Sequence, residues 1–521
     1  MTEHPRLALF LEATIIFVCV CIHQTYLQFS SPHLPGTDGY YHIKLAWLIR
    51  TEGLPDSFPW AAFSLWNEHF FDKDFGFHLL LIPFTFGDLI FGAKLAAACY
   101  GAAVFTSFYL VLRLQGIRAP WFWTLLLVSA GGFFGWRVNV PRPQILSVTL
   151  SLWAVFFVLR KSWKGTAAVG CLYALSYAAP LLVVLYALID WVAGIVCEGD
   201  WRRKALIGAV IGVSVGWIVH PHFPNNFHTL WVQLVHVLGA AWGTVAPDLS
   251  LADELKPTDT RSFLLAHLTV CLTLGAASLA MTRLRGGVDR ALLVLFAIAN
   301  GFFIMTCLSR RFVEYWVPFS LWLGALVLSR LLESMSEDPP VFWRNIRTRR
   351  IVLAVVLLMT AGLFVRSHLA NRRAFARLRP STVQAEAIWL ANHSRQGDLV
   401  FTCDWDDAPE LFYFNHHNRY LVFLDPTFMY AWRPEIWTAW NRISNGLERQ
   451  PVATIQQIFG ARYVYCAREF GALTRMLAVH PRVKLRFSGM GGAVFEILPE
   501  TASGEPIPIG VPTHPARGST D

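Results

Sequence analysis

The spacing of its apolar runs constrains this chain most. Stretches near or above the length needed to cross a hydrocarbon core of ~30 Å recur at 7–29, 93–112, 120–136, 144–160, 165–179, 181–197, 205–220, 263–281, 291–308, 312–330 and 351–368. Backbone amides in hydrocarbon must find partners within their own segment, so each run reads as a helix. The chain is thus expected to be an α-helical polytopic membrane protein with about 11 transmembrane helices. Composition agrees: 55% of residues are apolar, 15% are charged and mean hydropathy is +0.43, values that suit lipid better than water. The net charge of +9 does not point to nucleic acid, because the Lys and Arg residues sit in short clusters between apolar runs, which is an orientation signal. The run 7–29 is too long for a signal-peptide core and lacks a small-residue cleavage site, so it reads as a retained first span.

One further run, 75–91, is short and contains Pro83 and Asp88. If it stays on the surface, the basic loops carrying Arg113 with Arg118, Lys161 with Lys164, Arg202 with Lys204, Arg283 with Arg290 and Arg344 with Arg350 all share the cytoplasmic side. If it crosses, every later loop inverts. The run is therefore expected to be an interfacial helix on the outer face. Residues 1–370 then form the multi-span domain, with outer loops at 30–92 and 221–262. Residues 371–500 alternate an amphipathic segment (383–392) with β-like runs (398–403, 420–424, 461–466), the pattern of a small extracytoplasmic α/β domain. Residues 501–521, rich in Pro, Gly, Ser and Thr, read as a disordered tail. Of nine cysteines, seven (Cys19, Cys21, Cys99, Cys171, Cys197, Cys271, Cys307) serve as small hydrophobes in apolar segments, while Cys403 and Cys466 could be bridged outside the cytoplasm. The absence of a targeting segment makes a prokaryotic plasma (inner) membrane the simplest home.

Four outer loops carry chemistry. The first opens, after Pro35, with Gly36-Thr37-Asp38-Gly39-Tyr40-Tyr41-His42-Ile43-Lys44. Its glycines permit close backbone approach, and Asp38 is either an acid at a membrane surface or the N-cap of the helix running to Arg50. The same loop continues through Asn67, Glu68, His69, Asp72, Asp74 and His78, possible bases and ligands without metal spacing, or a solvated turn. The second loop holds Arg137 and Arg142-Pro143-Gln144, where an arginine at a span's start can snorkel or clamp a phosphate. The third runs from His220-Pro221-His222 through Asp248, Asp253 and Glu254, as a substrate gate or a connector. The fourth is Arg310 and Arg311, two cations at an outer end where the orientation rule disfavours them. Acids, imidazoles and arginines on one side suit a lipid-linked phosphate: cations neutralise the leaving phosphate and a carboxylate accepts a proton.

These residues resemble a known family. The loop Asp38-Gly39-Tyr40-Tyr41-His42 resembles the first catalytic loop of GT-C fold glycosyltransferases, most closely the catalytic subunit of oligosaccharyltransferase. Arg311-Phe312-Val313-Glu314-Tyr315 resembles that family's Arg-Phe-x-x-Tyr, and Asp404-Trp405-Asp406-Asp407-Ala408 looks like a degraded Trp-Trp-Asp-Tyr-Gly acceptor motif. The resemblance implies a catalytic Asp38 assisted by Glu254 or by His69 and its acidic neighbours, with Arg311, Arg310, Arg142 and Arg137 on the donor phosphate. It also implies acceptor contacts from Trp405, Asp406 and Asp407. Two departures stand out. Arg142-Pro143-Gln144 replaces a second acidic motif and cannot supply two carboxylates to a cation. The family's Thr/Ser-x-x-Glu is met only by Ser250-Leu251-Ala252-Asp253 or the adjacent Glu254. A divalent cation, Mg or Mn, at Asp38 and Glu254 stays open beside a metal-free site.

The implied activity is transfer of a sugar or glycan from a polyprenyl-phosphate-linked donor to a glycan, lipid or protein acceptor outside the cytoplasm, by an inverting displacement with Asp38 as base. The alternative is a transporter or flippase of lipid-linked glycans, which would place polar groups at the bilayer midplane and commonly show internal repeats. Here the spans are nearly free of charge and no repeat is visible. A scaffold anchored by its spans would need far fewer than eleven.

Overall fold

A computed structural model describes residues 4–237, 239, 253–284, 286–337 and 345–499. Residues 501–521, expected to be disordered, and Asp248, Ser250, Leu251 and Ala252 of the long outer loop lie outside the described residues. Every expected span contains helix. Among the described residues, seven helices are long and apolar enough to cross a bilayer: Arg6–Gln28, Leu89–Leu114, Leu181–Glu198, Thr260–Met281, Arg290–Leu308, Arg310–Ser334 and Ile346–Ala376. They make the chain an integral membrane protein. The remaining four expected spans are shorter than such a crossing. Gln144–Leu159, Trp163–Ser176 and Lys204–Ile218 are single short helices, and 120–136 divides into Pro120–Val128 and Gly132–Arg137.

Backbone proximity holds the short helices. Gly208, Gly212 and Gly216 repeat every fourth residue on Lys204–Ile218, and added Cβ atoms there would strike the carbonyls of Trp163, Ala167 and Cys171. The helix Trp163–Ser176 therefore lies backbone to backbone against it, the small-residue packing that dispersion favours where no hydrophobic force joins helices.

Ion pairs show which loops share a side. Asp38 pairs with Arg142 at 3.1 Å. The run 75–91 is a short helix, Phe75–Leu81, a 3₁₀ turn and the start of the helix Leu89–Leu114. The basic loops cluster elsewhere among their own acids, with Lys161 on Glu198 (2.7 Å) and Asp200 (2.8 Å) and Arg113 on Glu12 (3.1 Å).

The C-terminal region is α/β. Strands β1 (Val400–Thr402), β2 (Tyr463–Ala467), β3 (Val483–Ser488) and β4 (Gly492–Ile497) form one sheet in the order β1-β2-β4-β3, with β1 and β2 parallel and the other neighbours antiparallel. The β-like run 420–424 is not a strand. Its amides and carbonyls pair instead with the first outer loop, as in Tyr420 N–H to the Trp60 carbonyl (2.8 Å) and Ala62 N–H to the Tyr420 carbonyl (2.9 Å). Tyr41, Phe58, Trp66 and Phe70 from that loop share one core with Val400, Phe412, Tyr420 and Phe423. Cys403 and Cys466 follow the paired residues Thr402 and Tyr465, and both are buried with their Sγ atoms 2.8 Å apart.

Candidate active site

Two glycines bring the first loop to the second. Gly36 has φ +75°, a left-handed value that a side chain resists, and a Cβ on Gly39 would meet Pro141 Cγ at 2.6 Å. The helix Asp38–Glu52 begins at Asp38, with Thr37 in the cap position and no side-chain cap bond. Asp38 is therefore a first-turn residue rather than the N-cap. Its carboxylate suits the helix dipole and is directed to Arg142.

Three guanidinium groups converge on one carboxylate. Arg142 bridges Asp38 and Glu254, reaching Glu254 Oε2 at 3.0 Å. Arg137, 3% exposed, pairs with the same oxygen and donates to Glu314, 1% exposed, at 2.8 Å. Arg311 stands 3.6 Å from Glu254 Oε1 and donates to the Tyr177 hydroxyl at 2.9 Å. Burial alone would raise the Glu254 acid, but Arg137, Arg311 and Arg142 outweigh it and hold the group well below the usual carboxylate range. A ring of forked donors around an anion is the geometry that also takes a phosphate.

These groups line one cavity of about 140 Å³. Of the residues singled out from sequence, Asp38, Arg137, Arg142, Glu254, Arg311 and Trp405 meet there. The others do not line it. His69 stacks on His228, with ring centres 4.2 Å apart. Arg310 lies over the Phe133 ring at 5.1 Å. Asp406 accepts the Thr37 hydroxyl at 2.8 Å, at the junction between the C-terminal domain and the helix bearing Asp38. Asp407 keeps one buried oxygen without a hydrogen-bond partner, and burial pushes its acid well up. The cavity also includes His42, Lys73, Gln144 and Tyr177, to which sequence reasoning assigned no role. Lys73 pairs with Asp74 at 2.6 Å and sits between two acids already noted as candidates, a signal that was there to read. Tyr177 lies within the apolar run 165–179 and gave none. A second cavity, of about 130 Å³, contains Lys161, Asp190, Asp200 and Arg290, cations and carboxylates that pair with one another.

A divalent cation fits this donor set poorly. Asp38 is engaged by Arg142, and both oxygens of Glu254 face guanidinium groups. Among the described residues, no group of three or more His, Cys, Asp or Glu side chains could hold a metal ion. The positive charge that a cation would bring is already supplied by arginine.

No known family profile matches the chain, and no curated protein matches it by sequence. Its fold does match solved structures. The Archaeoglobus fulgidus oligosaccharyltransferase in the apo form superposes with a TM-score of 0.64 at 13% identity, over 87% of this chain and 69% of that one. AglB from the same organism, in complex with an inhibitory peptide and a dolichol-phosphate, gives 0.62 at 12% identity over 88% and 70%. ArnT from Cupriavidus metallidurans bound to undecaprenyl phosphate gives 0.58 at 15% identity over 92% and 97%. The chain thus has the fold of GT-C glycosyltransferases, a bundle of membrane helices carrying a C-terminal domain with a small sheet.

Proposed function

We propose that this protein is a membrane glycosyltransferase that moves a sugar or glycan from a polyprenyl-phosphate-linked donor to an acceptor on the non-cytoplasmic side. The observation that carries the reading is the meeting of Asp38 with Arg137, Arg142 and Arg311 in a single cavity between the membrane helices and the external domain. Two proteins of the same fold were solved with a dolichol-phosphate and with undecaprenyl phosphate. The basic loops assign the opposite side to the cytoplasm, as expected for a plasma membrane.

The chemistry follows from the charges. The donor phosphate competes with Glu254 and Asp38 for Arg142 and Arg311, and Asp38 is thereby freed from its ion pair. The acceptor's hydroxyl or amine attacks the anomeric carbon from the face opposite the phosphate, its proton passes to Asp38, and the C–O bond to phosphate breaks. The charge that gathers on the departing phosphate rests on Arg137, Arg142, Arg311 and Lys73, whose positions are set before reaction. Trp405, Asp406 and Asp407 approach from the acceptor side.

Asp38→Asn tests the assignment. It should lower transfer to an added acceptor by about 10²- to 10⁴-fold, with binding of undecaprenyl phosphate retained. Unchanged turnover at normal expression would overturn the role of Asp38.

A further inference from the structure

Behind the cavity wall runs a chain of hydrogen bonds separate from the arginine network. Asp72, His78 and His42 are all buried. His78 Nδ1 lies 2.7 Å from Asp72 Oδ2, and His42 Nδ1 lies 2.8 Å from His78 Nε2. For a neutral His78 the direction of donation is fixed. Burial alone would raise the Asp72 acid, yet His78 and the Asp74 amide keep it below the ordinary range, so it is ionised and only accepts. It must receive the His78 Nδ1 proton. His78 Nε2 is then a lone pair and receives the His42 Nδ1 proton, which leaves His42 Nε2 bare. That nitrogen hydrogen-bonds none of the described residues, and His42 lines the same cavity as Asp38, one turn along the same helix. The groups facing His42 are His78 on the helix Phe75–Leu81, Lys73 on the preceding turn and Arg142 on the second loop; burial, then these three cationic or basic neighbours, keeps it neutral.

Asp72 is held from behind. His220 Nε2 donates to the Asp72 carbonyl at 3.0 Å, and the Asp72 amide donates to His222 Nδ1 at 3.1 Å. His222 in turn donates to the Pro55 carbonyl at 2.8 Å. The His220-Pro221-His222 opening of the long outer loop, which the arginine site leaves without a role, serves to fix Asp72.

We propose that His42 is a catalytic proton acceptor of this site: the proton that Asp38 removes from the acceptor passes to His42 Nε2, with His78 and Asp72 as positioning residues. The acceptor's O–H or N–H bond breaks, its electron pair forms the new glycosidic bond, the phosphate leaves with the old pair, and the proton is taken up at His42 Nε2 once the phosphate has engaged Arg142, one of the cations that disfavour a charged His42. The inference rests on the transferase reading above.

The experiment uses the full chain in detergent with a panel of undecaprenyl-phosphate hexoses, comparing wild type, Asp72→Asn, His42→Gln and the double variant. The amide introduced by Asp72→Asn keeps the carboxylate's shape but donates to His78 Nδ1, which turns the chain around and places a hydrogen on His42 Nε2. Each single variant should lose about 10²-fold in kcat with the donor KM unchanged, and the double variant should be no slower than either. ¹⁵N-histidine NMR of the same preparations should show the Nδ1–H tautomer for His42 in the wild type and the Nε2–H tautomer in Asp72→Asn. This second measurement stands if a variant is too unstable for kinetics. A wild type that transfers sugar while Asp72→Asn keeps its kcat, additive losses in the double variant, or an Nε2–H tautomer in the wild type each overturn the relay alone. A wild type that transfers from no polyprenyl phosphate overturns the transferase reading, and the relay falls with it.

Discussion

Arg137 is held more tightly than the other cations of the cavity, between Glu254 and the almost fully buried Glu314. Replacing it with Met removes the partner of a buried carboxylate, and breaking such a pair costs about 3–5 kcal/mol. Arg137→Met should therefore lower the thermal unfolding midpoint of the purified chain, whereas Arg311→Gln, whose partners are the cavity's own Glu254 and Tyr177, should chiefly weaken undecaprenyl phosphate binding. His42 carries a prediction about pH. Its folded-state value lies well below the ordinary 6.5 because burial, then His78, Lys73 and Arg142, disfavour the charged ring. As pH falls below about 6.5 the unfolded chain takes up the proton first, so this contribution to stability is complete above that value and is lost on acidification. A melting series from pH 7.5 to 5 should show a falling midpoint, and His42→Gln should make the fall shallower. The sequence exposed Asp38, Arg142, Glu254 and Arg311 as anomalies, polar groups at membrane ends. It assigned no role to Glu314, which stands in the first turn of an apolar helix and is explained only by the arginine it neutralises.

At the scale of elements, all eleven apolar runs became helices because an apolar segment in lipid has no other way to satisfy its amides. Their lengths were harder to read. Hydropathy ran continuously through 120–136, but the backbone divides between Val128 and Gly132, and Arg137 at the end of the second piece is thereby turned toward Glu254 and Glu314. The run 420–424 was read as a strand from its residue types and is instead clamped by the first outer loop, since its edge partners come from another part of the chain. The glycine-faced pair of short helices gives a direct test. Gly212→Leu drives a side chain into the Ala167 carbonyl region, and overpacking of this kind costs about 1–3 kcal/mol. A lower yield of monodisperse protein and a reduced melting midpoint are expected, with Gly275→Ala, where the added Cβ meets nothing within 4 Å, as the neutral comparison.

Across the whole molecule, the C-terminal domain and the loop 30–92 share one core and form one folding unit. Tyr41, Phe58, Trp66 and Phe70 complete the core that Phe412, Tyr420 and Phe423 begin, and the Trp60 indole donates to the His416 carbonyl at 2.8 Å. Residues 371–499 expressed alone should therefore expose an aromatic face and aggregate or bind a hydrophobic dye, and a soluble, cooperatively melting fragment would contradict this. The two parts also meet at Thr37, next to Asp38, whose hydroxyl donates to Asp406. This hydrogen bond joins the C-terminal domain to the helix that begins at Asp38.

The amino-acid sequence by itself determined that the chain lives in a membrane and where its apolar helices fall, because hydrophobic length acts locally and can be counted along the chain. It also marked the arginines and acids that break the local rules. Only the tertiary structure decided which of those anomalies face one another. The meeting of Asp38 with Arg142 depends on Gly39 lying against Pro141, and the exclusion of His69 depends on its stacking with His228. The line from Asp72 to His42 requires two helices and a distant His-Pro-His turn to pack together. Such contacts join residues up to hundreds of positions apart, and nothing local to any one of them records its partner.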